Sequence, residues 1–275
     1  MIDTHTQLYG IIGDPVKHSL GPILHNKAFK RMGLNAVYLA FEVRHLEEAI
    51  RGIRGLGIRG VSVTLPFKTQ VLPFLDKVEA VAEKIKAVNT IANEGGRLVG
   101  YNTDWSGALE ALEEKVDLKG KKILLLGAGG AARAIGFGLK ERRCQAIISN
   151  RSLDKAIELA KALGFTCVPL SSINEPKIDV IINATSVGML PHNADSPLPQ
   201  RFLKEGMVVM DIVYQPLKTQ LLQDAEEQGC QTIDGLEMFV RQGAEQLEIW
   251  TGKKPEINQM KEDLRKELLI RKSDP

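Results

Sequence analysis

The sequence predicts an α/β protein of two domains, and three observations carry that prediction. Short β-branched or apolar runs alternate with longer segments of helical period from end to end, the pattern of βα units around a parallel sheet. The pattern occurs twice, in two sets parted by the polar stretch Asp117-Leu118-Lys119-Gly120-Lys121-Lys122. A chain of 275 residues is also long enough for two modest domains, each able to bury a core.

In the first set, strands are expected over residues 8–12, 37–41, 61–64 and 88–92, and helices over 23–32, 46–56 and 79–85. Gly95-Gly96 is a hairpin signal between Thr90-Ile91-Ala92 and Leu98-Val99-Gly100, so this sheet is expected to carry an antiparallel edge. A helix follows over 105–116. The second set has strands over 123–126, 146–149, 180–183, 208–212 and 232–233, with helices over 131–140, 153–163 and 219–228. The tail, 236–250 and 256–270, reads as helix without strands, and its apolar stripe must lie on one of the two sheets. The expected domains are a mainly parallel α/β substrate domain over 1–103, completed by helices 237–275, and a Rossmann-type domain over 104–236. The active-site cleft is expected between them.

Composition narrows the function. Hydrophobic residues make up 44% and charged residues 25%, the balance of a soluble globular chain. The 36 Lys and Arg nearly cancel the 34 Asp and Glu, so no broad cationic face is forced and no nucleic-acid partner is expected. Cys144, Cys167 and Cys230 lie outside metal-ligand or redox spacing, and the histidines form no cluster, so no metal is expected. Residues 1–7 carry an acid where a signal peptide is basic, and no apolar run approaches the roughly 20 residues that span a bilayer. A cytoplasmic location without a membrane partner is the expectation.

The strongest local signal is Gly127-Ala128-Gly129-Gly130-Ala131-Ala132, which follows the apolar run Ile123-Leu124-Leu125-Leu126 and opens an alanine-rich helix. This is the dinucleotide fingerprint in its required context: glycines permit a tight turn and close backbone approach, and a pyrophosphate sits on the helix N-terminus. The next strand ends in Ser149-Asn150-Arg151-Ser152. An NAD site places an acid there for the ribose hydroxyls, whereas a 2′-phosphate needs a cation. Asn150, Arg151 and Ser152 supply donors and no acid, and Lys155 lies one turn further on, so NADP(H) is the expected cofactor. Lys68 follows Val61-Ser62-Val63-Thr64-Leu65-Pro66-Phe67, a strand that delivers a hydroxyl at Thr64 and then an amine beyond its carboxyl end.

In order and spacing, several segments resemble the shikimate dehydrogenase family. They are Pro15 to Pro22, Val61 to Lys68, Ala87-Val88-Asn89-Thr90, Gly100 to Asp104, Gly127 to Arg133, Asn150-Arg151-Ser152, Asn183 to Met189, Asp211 to Leu222 and Asp234 to Gln242. The resemblance covers nearly the whole chain. It implies reversible NADP-linked oxidation of shikimate to 3-dehydroshikimate on the chorismate route to aromatic amino acids. It makes Lys68 and Asp104 the catalytic pair, gives Ser19, Thr64, Asn89 and Gln242 contacts to the substrate, and places Tyr214 near the nicotinamide and the substrate carboxylate. It adds Thr185, Ile212 and Gly235 to the cofactor residues, with Gly127, Ala128, Gly129, Gly130 and Ala131.

Physical logic agrees, because hydride transfer from a secondary alcohol requires a positioned base for the hydroxyl proton. Asp104 also reads as the N-cap of the helix that starts at Trp105, and His18, on a loop, as a packing or hydrogen-bonding residue. Two positions depart from the family, which usually has a second serine at Gly21 and an asparagine at Ser62. Gly21 lacks a hydroxyl and Ser62 has one donor fewer. Both bear on the carboxylate end of the substrate site, where Ser19 is left as the main hydroxyl.

Two rival readings remain at this stage. A quinate or dual quinate/shikimate dehydrogenase more often uses NAD, which Asn150-Arg151-Ser152 argues against; a regulatory nucleotide-binding protein would have no use for a proton relay. The sequence leaves a monomer or a homodimer open. The Arg151 reading generates a measurable expectation. A charge-assisted hydrogen bond to phosphate is worth about 1.5–3 kcal/mol, so Arg151→Ala weakens NADP about 10- to 100-fold in a binding titration and leaves NAD nearly unchanged. Equal loss for both cofactors refutes it.

Overall fold

The computed structural model describes residues 2–173, 177–191 and 193–273. Residues 1, 174–176, 192 and 274–275 of the expected domains lie outside the described residues. The chain forms two compact units, Met1–Thr103 with Gln242–Pro275, and Asp104–Arg241.

The first unit opens with β1 (Gln7–Gly13), α1 (Gly21–Arg31), β2 (Ala36–Glu42), α2 (Leu46–Gly55), β3 (Gly60–Val63), β4 (Lys77–Val78), α3 (Ala80–Ile85), β5 (Thr90–Glu94) and β6 (Arg97–Tyr101). Its sheet runs β2-β1-β3-β5-β6-β4. Strand β1 is parallel to β2 and β3, and β4 to β6, while β5 runs against both β3 and β6. The hairpin is therefore real, but the single reversed strand lies inside the sheet. The expected antiparallel edge is closed by β4, a two-residue strand held by pairing rather than by propensity. Helix α2 shows why the periodicity works: Leu46, Ala49, Ile50 and Ile53 fall on one face and pack into the core with Val61, Val63 and Ile91. Helix α3 starts where Glu79 accepts from the Val81 N–H at 2.8 Å and stops at Lys86 in the left-handed region (φ 59°).

The second unit comprises α4 (Asp104–Glu113), β7 (Lys122–Leu126), α5 (Gly130–Glu141), β8 (Gln145–Ser149), α6 (Leu153–Leu163), β9 (Thr166–Cys167), β10 (Val180–Asn183), β11 (Val208–Asp211), α7 (Gln220–Glu227), β12 (Gln231–Ile233) and the start of α8 (Gly235–Thr251). Its sheet order is β12-β11-β10-β7-β8-β9, every pair parallel. Numbered within the unit, that is the doubly wound order whose switch point lies between the first and fourth strands. The run Ile123 to Leu126 is buried throughout because β7 is the central strand, covered on both faces.

The last part of α8 and helix α9 (Ile257–Ser273) complete the first unit. The tail buries Met260 and Leu264, and Arg31 holds Asp263 through two hydrogen bonds of 2.7 and 2.8 Å between α1 and α9. Trp250 donates its indole N–H to Ile91 O at 2.9 Å. A side chain on Gly60 would strike the Trp250 ring. Among the described residues no helix is long and apolar enough to cross a membrane.

Two glycines separate crowding from propensity. Gly60→Ala overpacks the Trp250 contact and lowers stability by about 1–3 kcal/mol. Gly52→Ala, inside α2 with nothing within 4 Å of the new methyl, raises it by about 0.5–1 kcal/mol. Urea denaturation of the two variants checks both signs.

Candidate active site

In the first unit the candidate residues gather at the carboxyl ends of β1, β3 and β5's neighbours. Ser19 and Gly21 lie in the turn that opens α1, where Ser19 Oγ accepts from the Gly21 N–H at 3.1 Å. A Cβ on Gly21 would lie 3.2 Å from Ser19 Oγ and 3.2 Å from the Tyr38 ring, so the missing side chain leaves little vacant room. Ser62 on β3 is buried and its hydroxyl is engaged twice, accepting from Tyr38 OH at 2.6 Å and donating to Gln246 Oε1 at 2.7 Å. Its one proton is directed to Gln246. Thr64 follows β3, and its N–H bonds Ile12 O at 3.0 Å. Lys68 stands four residues further on, half-buried, with its carbonyl accepting from Val88 N–H at 2.8 Å.

Asn89 and Gln242 come together although 153 residues separate them, with Asn89 Nδ2 3.3 Å from Gln242 Oε1. Asn89 Nδ2 also donates to Thr103 Oγ1 at 2.9 Å, and its Oδ1 accepts from Thr103 N–H at 2.8 Å and Thr90 Oγ1 at 2.7 Å. Thr103 completes the knot by donating to Gln242 O at 3.1 Å. Thr103 is thus the residue before α4, and Asp104 is its first helical residue rather than its cap. A carboxylate in the first turn is still favoured by the helix dipole. His18 is exposed, so the packing role expected for it is not found.

In the second unit, the turn between β7 and α5 has the geometry a pyrophosphate requires. Gly127 sits at φ +118°, and a side chain there would meet Ala184 O at 2.8 Å. Gly129 has open space where its side chain would be, at the start of a 12-residue helix whose first turn carries no acid. Ala128 is buried beside it, and Gly130 and Ala131 are the first helical residues. After β8, Asn150 Nδ2 donates to Ser152 O at 3.0 Å, Ser152 stands at the N-cap of α6, and Arg151 and Lys155 are exposed. Ser149 Oγ is buried without a hydrogen-bond partner among the described residues. Open glycine backbone, the cations Arg151 and Lys155, and no acid within residues 150–152 make a donor set suited to an adenosine 2′-phosphate and a pyrophosphate, with Asp154 standing in the first turn of α6.

Buried Asp211 organises the loops beyond β10 and β11. It accepts from Asn183 Nδ2 at 2.9 Å, Val213 N–H at 2.9 Å and Thr219 Oγ1 at 2.7 Å. Asn183 in turn accepts from the N–H and hydroxyl of Thr185 at 3.0 and 2.6 Å, and its carbonyl accepts from Ile212 N–H at 3.1 Å. Burial pushes the Asp211 carboxyl up to about 6 against its three hydrogen bonds. Tyr214 stacks on Phe239 of α8 at 4.5 Å. Gly235 has a packing reason of its own, since a side chain there would lie 2.5 Å from the carbonyl oxygens of Ile212 and Val213. The residues that sequence reasoning missed are Tyr38, Thr103 and Gln246, none of which carries a local signal. Among the described residues no group of three or more His, Cys, Asp or Glu could hold a metal.

Comparison with known proteins adds to this geometry. The chain matches the family model of the shikimate dehydrogenase substrate binding domain over residues 11–91, that of shikimate / quinate 5-dehydrogenase over 110–236, and that of the shikimate 5'-dehydrogenase C-terminal domain over 235–265. It is 47% identical over 267 residues to a shikimate dehydrogenase (NADP(+)) of Thermococcus kodakarensis, covering 95% of this chain and 97% of the relative. A crystal structure of a shikimate dehydrogenase in complex with NADP+ superposes with a TM-score of 0.94 at 42% identity, covering 98% of both chains. The Thermus thermophilus enzyme, solved with NADP(H) and shikimate, gives 0.88 at 39%, covering 94% of this chain and 99% of that one. A quinate dehydrogenase of Corynebacterium glutamicum solved with NAD is 28% identical at a TM-score of 0.87, covering 95% of this chain and 99% of its own.

Asp211 makes stability depend on pH. Its folded value lies above the unfolded value of 3.8, so its contribution is full below about 3.8 and lost as pH rises through about 6. The difference corresponds to about 3 kcal/mol. Relative to Asp211→Asn, which cannot ionise, the wild type is expected to lose melting temperature between pH 4 and pH 7. A constant difference across that range refutes the assignment.

Proposed function

The chain belongs to the shikimate dehydrogenase family, and on that premise we propose that it interconverts shikimate and 3-dehydroshikimate with NADP(H). In this reading Lys68 and Asp104 handle the proton, and Ser19, Thr64, Asn89, Gln242 and Tyr214 hold the substrate. The observation that carries the reading is the polar knot of Asn89, Thr103 and Gln242, whose first member neighbours the residue that anchors the Lys68 carbonyl. The identities above favour shikimate over quinate, and Asn150-Arg151-Ser152, a strand end with a cation and no acid, favours NADP over NAD. The first unit serves as the substrate domain and the second as the cofactor domain.

NADP+ supplies the hydride acceptor when bound, held by the Gly127–Ala131 turn, by Asn150, Arg151, Ser152 and Lys155, and by the backbone around Thr185, Ile212 and Gly235. The chain's own residues do the rest. As the substrate carbinol carbon loses its hydride, the hydroxyl O–H bond breaks and the Lys68 amine takes the proton; in reduction the ammonium returns it to the carbonyl oxygen. Asp104, fixed at the start of α4, orients the lysine and accepts from a substrate hydroxyl. Amide groups at Asn89 and Gln242 bind ring hydroxyls equally in ground and transition states, which lowers the Michaelis constant rather than raising turnover. The substrate is a small anion, and no nucleic-acid partner enters the scheme.

Lys68→Ala is expected to keep the fold and NADP affinity while turnover falls about 10²- to 10⁴-fold. Steady-state assay of shikimate and quinate, each with NADP and NAD, checks the reaction alongside. Turnover within about threefold of wild type would move the proton-handling role elsewhere.

A further inference from the structure

Gln246 lies one helical turn beyond Gln242 on α8, is 1% exposed, and belongs to no motif in the sequence. Its carboxamide takes part in three hydrogen bonds. Oε1 accepts from Ser62 Oγ at 2.7 Å, while Nε2 donates to Thr90 Oγ1 at 2.9 Å and to Asn89 O at 3.2 Å. His25 is fully buried, with Nδ1 unpartnered among the described residues. It stacks on Tyr38 at 4.3 Å, and Tyr38 OH donates to Ser62 Oγ at 2.6 Å. Tyr38, Ser62, Gln246, Thr90 and Asn89 thus form one connected buried network, with Gln246 bonded to three of the other four.

Position 62 carries a hydroxyl and no amide. Here β3 contributes only the hydroxyl, and the amide bonded to that hydroxyl arrives from α8. An amide so constrained does two things at once: it dictates which way the Ser62 hydroxyl points, and it fixes the backbone carbonyl of Asn89, whose side chain meets Gln242. Low dielectric strengthens each of these bonds and makes any unmade one costly.

We propose that Gln246 is a positioning residue for substrate binding, supplying from α8 the amide that position 62 lacks and setting the geometry of Ser62 and Asn89. The inference rests on the reading of Asn89 and Gln242 as substrate contacts. Gln246 acts through them and does not touch the reacting atoms, so its effect falls on substrate affinity and leaves proton transfer alone.

The test is a set of variants in the full chain, assayed for shikimate and NADP kinetics and for melting temperature. Gln246→Met, which keeps the volume and removes the amide, is expected to raise the KM for shikimate about tenfold or more, with kcat within about threefold and the KM for NADP unchanged. Ser62→Asn combined with Gln246→Ala moves the amide to β3 and is expected to return KM to within about threefold of wild type, a rescue that a merely structural role does not give. Should Gln246→Met not fold, Ser62→Ala cuts the same bond with a smaller change, and its KM rise should be reversed by no change at Gln246. Unaltered KM in Gln246→Met, loss of kcat and NADP affinity in step with KM, or failure of the double variant to recover overturns the proposal. Asn89→Ala and Gln242→Ala run beside them: if these bind shikimate poorly while Gln246→Met does not, the positioning role fails and the site reading stands. If these two also leave KM unchanged, the site reading falls and takes the positioning role with it.

Discussion

The side-chain amide of Asn89 is the constraint on which the substrate half depends. A carboxamide has two donors and one acceptor oxygen, and here all are used: by Thr90 beside it, by Thr103 across the sheet end, and by Gln242 on α8, 153 residues away. Removing the acceptor of either Nδ2 proton would strand a buried donor, at about 1–3 kcal/mol. The knot therefore holds its shape without a ligand. A surface built that way presents its remaining polar groups in place, and a small polyhydroxy acid need not organise it on binding.

The cofactor half meets the same requirement with a charge in place of an amide. Asp211 gathers Asn183, Val213 and Thr219 at the carboxyl ends of neighbouring parallel strands. Those ends border the switch point of the sheet, where open α/β sheets take their ligands. Both halves share the device of a buried acceptor fixing the loops that follow a strand. They differ in how sensitive that device is to protonation, since an amide does not titrate and a desolvated carboxyl does.

Local signals were legible in the sequence, and tertiary ones were not. The Gly127 to Ala132 turn could be read because each glycine answers a backbone demand within six residues, and Arg151 because its neighbours exclude an acid. The core of nearly every long element followed from periodicity, as in α2. Strands β4 and β9 escaped because two residues carry no period, and they exist only through pairing with β6 and β8. The antiparallel segment was placed at the edge because a hairpin signal says nothing of what lies beyond it. Nothing near Ser62 in the sequence shows that its hydroxyl bonds a glutamine 184 residues away. Gln246 and Tyr38 were invisible for the same reason. A buried glutamine looks like any helical glutamine until its partners are known.

That long reach has a consequence for how the chain comes off the ribosome. Residues 104–241 form a continuous unit that has all its strands once they emerge, whereas the first unit lacks residues 242–275 until that whole unit has been made. Until α8 arrives, Ile91 O has no indole donor from Trp250, the space against Gly60 is empty, and Asn89 and Ser62 lack their glutamines. The earlier segment is thus the later to finish, and its closure joins residues 1–103 to residues 242–275, which are separated by the residues of the second unit. Loop-closure entropy grows only slowly with length, and an insert that has folded on its own shortens the effective loop further. Vectorial synthesis therefore leaves the β1–β6 sheet incomplete for longest, and this is the part of the nascent chain with most need of a chaperone.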